Sequence, residues 1–325
     1  MSEPPPYPSQ PPDPGQQPYQ QQPYQQQPPP YQPLPSYPTE GYAVPEMPAA
    51  GDPLVSPDYN GWWQRTMAIV KASWKELLTL QLIGAVFVLI LRGPTAIYQQ
   101  ITTNDFSNAA KTSGSTPSLG PLFAGLGLSF LGTVLSLLVA ALVTLATVRV
   151  VVTTATGGRA SVGDALSRGL SRLLPLIGWQ LLASLIIIAG VCACILPAIY
   201  FAAVFTVLAP VVAFERTNAI SRSFRLFHGN LGTSVSRVAT LFGIYIGAGI
   251  VGGVIGAIFT VAMHPNTAPT GTVVVASLIT TAVAAIIGAA AGILTGPLTV
   301  TAYSDMRSKL EPISTPILVQ ELDAA

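Results

Sequence analysis

The sequence predicts an all-α integral membrane protein, with six transmembrane helices, short cytoplasmic amphipathic helices and a disordered tail ahead of them. Half of the 325 residues are hydrophobic and only 9% are charged, whereas ordinary soluble domains contain roughly 25% charged residues. Long apolar segments follow one another after residue 70, and a low-complexity segment precedes them. A chain with so few charges cannot cover a water-facing surface of this size, so it belongs in a membrane.

The N-terminal segment, residues 1–60, is predicted to be a disordered tail rich in Pro, Gln and Tyr. Nineteen of the thirty prolines lie before residue 60, and too little apolar surface can be buried there to repay the chain entropy. Pro4–Tyr7 and Pro28–Tyr31 both fit a Pro-Pro-x-Tyr pattern, which is typical of segments that dock into aromatic grooves. The alternative is a solvated tether without a partner.

The apolar segments predict six membrane crossings within a membrane domain that covers residues 61–312. The crossings are expected at about 74–91, 121–152, 173–196, 197–214, 234–263 and 272–303. Trp62, Trp63 and Trp74 lie just before the first apolar run, as aromatic anchors do at a membrane boundary. The first crossing is 18 residues long, which corresponds to about 27 Å and is marginally enough to span the hydrocarbon core.

The connections between the crossings follow from helix breakers and polar residues. Gly93-Pro94 is expected to end the first helix, with a polar loop over residues 95–120. Residues 161–172 predict a short polar helix before a hairpin of two crossings, and Pro210 is expected to kink the inner end of the fourth crossing. The polar residues 313–325 predict a C-terminal tail.

A basic stretch, Phe214 to Leu231, stands between two apolar runs and predicts an amphipathic helix. Its apolar arc includes Phe224, and its polar arc includes Arg222 and Arg225. Such a helix lies in a membrane interface instead of crossing the membrane. We expect Arg222 and Arg225 to lie near anionic lipid or near Asp305.

The distribution of Lys and Arg predicts that both termini are cytoplasmic. Six crossings place the termini on one face, where thirteen basic residues lie against two on the other face. The thirteen are Arg65, Lys71, Lys75, Arg149, Arg159, Arg168, Arg172, Arg216, Arg222, Arg225, Arg237, Arg307 and Lys309, and the two are Arg92 and Lys111. The predicted location is the plasma membrane of a bacterial cell.

A weak internal repeat agrees with this count. Residues 68–72, 165–169 and 219–223 share a small, apolar, variable, basic, small pattern, and each segment precedes an odd-numbered crossing. The predicted unit is one cytoplasmic helix followed by two crossings, repeated three times.

Catalytic and ion-coupling signatures are not found in the sequence. No ionisable residue falls near the middle of a crossing, which argues against a coupled pump. With two histidines and two cysteines, the chain offers neither a zinc site nor a nucleophile beside a histidine and a carboxylate. No cofactor and no nucleic-acid partner are therefore expected. Thr144 and Thr147 either line a path or bond to carbonyls of their own helix.

The last two crossings contain small residues at four-residue spacing. The glycines concerned are Gly243, Gly247, Gly252, Gly256, Gly288 and Gly292. Glycine lets two helix backbones approach closely in a membrane, so this pattern predicts tight packing of the fifth and sixth crossings. The alternative is a seam between two copies of the chain.

Two short stretches carry a family resemblance. Phe214-Glu215-Arg216 through Gly229, together with Pro297 and Tyr303-Ser304-Asp305-Met306-Arg307, resembles the membrane domain named after glycerophosphoryl diester phosphodiesterases. The resemblance covers roughly residues 60–312 and implies six crossings and a cytoplasmic basic helix. In family members that are enzymes, the chemistry belongs to a separate soluble barrel, so the resemblance does not imply hydrolase activity here.

Three functions remain open at the level of sequence. The first is a non-enzymatic protein that organises or senses the bilayer and recruits a protein partner through its tail. The second is a passive or lipid-handling transporter, which a wide polar or lipid-sized cavity would favour and a solid glycine-packed core would oppose. The third is a lipid-modifying enzyme. The candidate interfacial residues are Arg216, Arg222, Arg225, Asp305 and Arg307.

Overall fold

The computed structural model describes residues 51–112, 118–263 and 269–324, and its regular structure there is helical throughout. Six of its helical segments are long and apolar enough to cross a membrane, which confirms the predicted fold class. The helices are α1 (Tyr59–Ala72), α2 (Trp74–Thr112), α3 (Gly120–Ala155), α4 (Val162–Ala193), α5 (Ile195–Val204), α6 (Leu208–Phe214), α7 (Ala219–Gly229), α8 (Leu231–Met263), α9 (Thr270–Ser308) and α10 (Thr315–Ala324).

Helix α2 does not end at Gly93-Pro94, so the prediction of a polar loop is wrong for residues 95–112. Pro94 lies inside a continuous helix of 39 residues. Membrane helices tolerate such prolines because neighbouring groups satisfy the backbone atoms that the ring leaves unpaired. Here α3 packs closely alongside, since a Cβ at Gly132 would lie 3.1 Å from the carbonyl oxygen of Leu91. At 1.5 Å per residue α2 is about 58 Å long, well beyond one bilayer core.

Helix α4 combines two elements that were predicted separately. The polar segment 161–172 and the third crossing form one helix that contains Pro175. The chain then reverses at Cys194, whose extended backbone joins α4 directly to α5. The unit of a short helix followed by two long ones therefore occurs as α1–α3 and α7–α9, whereas no separate short helix precedes the middle pair. The threefold repeat stays a prediction.

The fourth crossing is irregular near its predicted kink. A short 3₁₀ turn, residues 205–207, separates α5 from α6. Pro210 follows three residues later in α6, and a proline cannot donate the backbone hydrogen bond that a regular helix requires at that position. The interruption thus lies three residues before Pro210, and the kink at Pro210 itself stays a prediction.

Both ends of the described chain are folded against the bundle, which corrects the predicted domain boundaries. The side chain of Asp52 accepts hydrogen bonds from the backbone N–H of Leu54 at 2.9 Å and of Thr315 at 2.6 Å. Leu54 and Leu318 are fully buried in the core. Residues 51–58, here called the strap, and α10 are therefore structured parts of the domain. Residues 1–50, with both Pro-Pro-x-Tyr motifs, lie outside the described residues, as do residues 264–268 between the fifth and sixth predicted crossings.

The buried side chains concentrate at one end of the bundle. There α1, α6, α7 and α10 pack around the last turns of α9, and the core includes Trp62, Phe214 and Tyr303. Along the rest of the bundle the helices expose apolar side chains. In α8, for example, only 6% of the most apolar stretch is buried. This pattern suits a protein whose solvent along most of its length is lipid.

Candidate functional site

A large cavity lies inside the six-helix bundle. It has a volume of about 1140 Å³ and is partly open. Its walls come from α2, α3, α4, α5, α6 and α9, and Tyr245 of α8 also lines it. Drug-sized ligands usually occupy pockets of about 300–1,000 Å³, so this cavity is somewhat larger than a typical ligand pocket.

The cavity runs along the helices for about the thickness of a bilayer core. Gln81 and Gln99 both line it, and their separation of eighteen positions on α2 corresponds to about 27 Å. On α9, Thr280 and Val300 are twenty positions apart, or about 30 Å. The hydrocarbon core of a bilayer is about 30 Å thick.

Most lining side chains are apolar, and the polar ones divide into two groups. Thr144 and Thr147 donate hydrogen bonds to carbonyl oxygens of their own helix at 2.8 Å, as one of the two predicted alternatives has it. Both residues also line the cavity. The side-chain amides of Gln81, Gln99 and Gln180 make no hydrogen bond within the part of the chain that the structure describes. Uncompensated amides are costly in an apolar environment, so they favour a polar group beside them in the cavity.

Only two of the six predicted packing glycines lie between α8 and α9. A Cβ at Gly252 would contact Ile287, and one at Gly256 would contact Thr280, each at 3.7 Å. A Cβ at Gly243, Gly247 or Gly288 would meet nothing within 4 Å, and Gly292 faces Gln81 of α2 instead. The prediction of tight α8–α9 packing is therefore wrong for these four residues. Gly288 and Gly292 line the central cavity, whereas Gly243 and Gly247 do not.

A buried ion pair joins α8 to the end of α9. The carboxylate of Asp305 accepts a hydrogen bond from Arg237 Nη2 at 2.9 Å, and the two side chains are 0% and 4% exposed. The other carboxylate oxygen accepts from the backbone N–H of Ser56 in the strap at 2.6 Å. The guanidinium of Arg237 also lies 5.5 Å from the ring centre of Trp62. Asp305 thus ties three segments together and contacts neither Arg222 nor Arg225.

A second ionic cluster lies beside this pair. Arg222 is buried and forms salt bridges with Glu215 at 2.7 Å and with Glu311. Arg307 bonds to Glu311, and also to Glu321 of α10. Together Arg237, Asp305, Arg222 and Arg307 define what we call the charged end of the bundle.

The predicted interfacial residues therefore divide into two classes. Arg222, Asp305 and Arg307 are buried structural partners, because the polar arc of α7 faces carboxylates of the same chain and not only the membrane surface. Arg225 is exposed on α7. Arg216 donates to the backbone carbonyl of Ala324 at 2.6 Å. The sequence predicts Arg222 near anionic lipid, but its side chain is buried and pairs with Glu215 and Glu311.

The ionic cluster changes the pKa of two groups outside the spans. Burial alone would lower the pKa of Arg222, but the carboxylates of Glu215 and Glu311 raise this pKa above its usual value. Burial alone would raise the pKa of Glu311, but hydrogen bonds from Arg307 and Arg222 lower it below the usual 4.5. Both groups are therefore held in their charged forms.

We expect acid to weaken the contribution of Glu311 to stability. Its pKa is lower in the folded protein than in the unfolded chain, so its contribution is complete above the usual pKa of 4.5 and is lost as pH falls through the lower folded-state pKa. The Glu311→Gln variant should be less stable than the wild type at pH 7, and the difference should shrink as the pH falls below 4.5. Thermal unfolding in detergent across this range measures the effect; a difference that does not depend on pH would contradict it.

Within the described residues, no group of three or more His, Cys, Asp and Glu side chains is arranged to hold a metal ion. Comparison with known proteins gives no match: no family model, no curated protein and no solved structure matches the chain. The resemblance to the glycerophosphoryl diester phosphodiesterase membrane domain therefore stays a prediction.

Sequence reasoning missed the unbonded glutamines of the cavity, the strap and the partner of Asp305. Gln81 and Gln180 do have a signal in the sequence, since each is an isolated amide within an apolar run. The pairing of Arg237 with Asp305 has no such signal, because the two residues are 68 positions apart.

Proposed function

We propose that this protein is a passive lipid-handling membrane protein that holds a membrane lipid or a similar amphiphile in its central cavity. The observation that carries the proposal is the cavity of about 1140 Å³ that follows α2 and α9 for about the thickness of a bilayer core. A close-packed glycine seam between α8 and α9 would have argued against transport, and of the six predicted glycines only Gly252 and Gly256 contact the partner helix there.

The chemistry of the walls supports an amphiphilic ligand. The apolar lining, which includes Leu137, Ile177 and Phe205, suits acyl chains. The free amides of Gln81, Gln99 and Gln180 suit polar groups such as esters and hydroxyls. Such mixed walls are typical of ligand sites that orient an otherwise apolar molecule.

The proposal is for passive handling because the cavity offers no means of proton coupling. Arg92 is the charged side chain among the described lining residues, and it lies beside Thr133 at 3.4 Å. Intramembrane carboxylates and histidines are the usual groups of a proton relay, and the described lining contains neither. A non-enzymatic role forms part of the same proposal.

The proposed setting is the plasma membrane of a bacterium, with both termini in the cytoplasm. The Lys and Arg asymmetry of the sequence supports this orientation, since the charged end would then face the cytoplasm. Recruitment of a protein by the Pro-rich tail, and association of two copies, also stay predictions. The tail motifs lie outside the described residues.

We expect a leucine at position 288 to displace the bound lipid. Gly288 lines the cavity and has open space around it, so Gly288→Leu narrows the cavity without overpacking the helices. Steric overlap costs roughly 1–3 kcal/mol, so lipid retention should fall about tenfold. Mass spectrometry of lipids that copurify from nanodiscs measures this retention.

Gly243→Leu is the matched control. Gly243 also has open space around it, but it lies on α8 and is not among the residues that line the cavity. The control should retain lipid as the wild type does. Equal retention by wild type, Gly288→Leu and Gly243→Leu would show that the lipid binds elsewhere and would refute the proposal.

A further inference from the structure

A second, smaller cavity lies near one end of α4 and is rich in arginine. It has a volume of about 340 Å³ and lies between α3, α4, α6 and α10. Arg149, Arg168 and Arg172 line it, whereas Asp323 is the acidic residue among its described lining. The central cavity and this one share none of the lining residues described for them.

Arg172 has no partner for two of its donors. Its Nε and Nη2 atoms are buried and make no hydrogen bond in the described part of the chain. These two atoms lie on one edge of the planar guanidinium, which is the arrangement that binds two oxygens of a carboxylate or a phosphate. Buried donors without acceptors are costly, so this edge favours an anionic ligand.

The other two arginines are already paired. Arg149 contacts Asp164 at 3.4 Å and Asp323 at 2.7 Å. Arg168 contacts Asp164 at 3.0 Å and Asp323 at 3.7 Å. Two carboxylates thus face three guanidinium groups.

The position of the pocket along α4 suits a ligand at the membrane surface. Arg172 is followed at once by residues 173–193, an apolar run without a charged residue. Arg172 is therefore the last cation before the hydrocarbon region. Basic pockets between transmembrane helices at this height bind the headgroups of anionic lipids.

We propose that this pocket is a binding site for a phosphate-bearing anion, either the headgroup of an anionic lipid or a soluble phosphate ester. The phosphate oxygens accept hydrogen bonds from the Nε–Nη2 edge of Arg172. The anion then competes with Asp323 of α10 for Arg149 and Arg168. Asp323 is 53% exposed, so it can move into water when the anion binds.

The test compares Arg172→Gln with Asp323→Asn in the full-length protein. Arg172→Gln removes the paired donors and should weaken anion binding by about tenfold or more. Asp323→Asn removes the competing carboxylate and should strengthen binding by about threefold to tenfold. Arg225→Gln is the control, because Arg225 is an exposed arginine of α7 outside the pocket. If Arg172→Gln fails to fold, Arg172→Lys is used in its place, because lysine keeps the charge but lacks the planar pair of donors.

Two probes distinguish the sources of the phosphate. Calorimetric titration of the detergent-solubilised protein with inorganic phosphate tests a soluble anion. Native mass spectrometry after reconstitution in nanodiscs of phosphatidylglycerol or of phosphatidylcholine tests a lipid headgroup. The proposal is supported if the affinity for either probe decreases in the order Asp323→Asn, wild type, Arg172→Gln. The probe that shows this order identifies the source of the phosphate. Binding that Arg172→Gln and Arg225→Gln weaken equally, or no binding of either probe, overturns it.

Discussion

Replacing Asp305 by Asn should lower the free energy of unfolding by about 3–5 kcal/mol. The substitution keeps the size of the side chain and removes its charge. Arg237 is 4% exposed at its side chain and would remain charged without its ionic partner. Breaking a buried pair by removing one member is costly because the remaining charge is neither solvated nor neutralised.

The measurement is the unfolding free energy of the purified protein in detergent, compared with that of Asp323→Asn. Asp323 also pairs with arginines, but its side chain is 53% exposed, so its loss should cost about 1 kcal/mol or less. A double variant, Asp305→Leu with Arg237→Met, should recover part of the loss because no uncompensated charge remains. A cost of under 1 kcal/mol for Asp305→Asn alone would show that the pair is hydrated and contradict the burial.

The transmembrane helices could be predicted from sequence because the bilayer imposes one strong local rule. A spanning segment must be apolar over about 20 residues and must satisfy its own backbone. The predicted second crossing, 121–152, thus agrees with α3 at Gly120–Ala155. Helix ends were less predictable: Pro94 breaks a soluble helix in most settings, but neighbouring α3 supports α2 beyond it.

The terminal segments were harder to predict because their order depends on distant partners. Asp52 resembles any other acidic residue of a Pro-rich tail, yet it caps α10 through Thr315, 263 positions later. The composition of the N-terminal segment correctly indicates that this segment has no hydrophobic core of its own. It cannot show that Leu54 fits into a core built by other helices, where that residue is 1% exposed.

From sequence, a central cavity could be predicted only as the alternative to a solid glycine-packed core. Four-residue glycine spacing permits close helix packing but does not require it. A Cβ at Gly243 or Gly288 would meet nothing within 4 Å, because the crossing positions of α8 and α9 depend on the whole bundle. On α9, Gly288 and Gly292 line the central cavity, whereas Gly243 of α8 does not. Buried ion pairs such as Arg237–Asp305 cannot be predicted from a local sequence pattern, because the two residues are 68 positions apart.

Replacing Trp62 by Ala should also destabilise the protein by about 3–5 kcal/mol, the usual cost of deleting a buried large aromatic side chain. From sequence, Trp62, Trp63 and Trp74 all appear as anchors at the membrane boundary. In the structure Trp62 is fully buried, whereas Trp63 and Trp74 are 36% and 51% exposed. Ala substitutions at those two positions should therefore cost much less, about 1 kcal/mol or below.

A Trp62→Phe variant separates volume from hydrogen bonding. Among the described residues, the indole Nε1 of Trp62 is buried without a hydrogen-bond partner. The Phe variant therefore loses volume but removes an unsatisfied donor, and it should cost less than Ala. Equal unfolding free energies for Trp62→Ala and Trp63→Ala would contradict the burial of Trp62.

The effects of Trp62 and Asp305 should not be additive, because both side chains contact the guanidinium of Arg237. The ring of Trp62 excludes water from the ion pair, and exclusion of water strengthens the interaction of Arg237 with Asp305. Once Trp62→Ala admits water, the charge of Arg237 is partly solvated and Asp305→Asn costs less. A double-mutant cycle should therefore give a coupling energy of about 0.5–3 kcal/mol; strict additivity would mean that Trp62 stabilises α1 without shielding the pair.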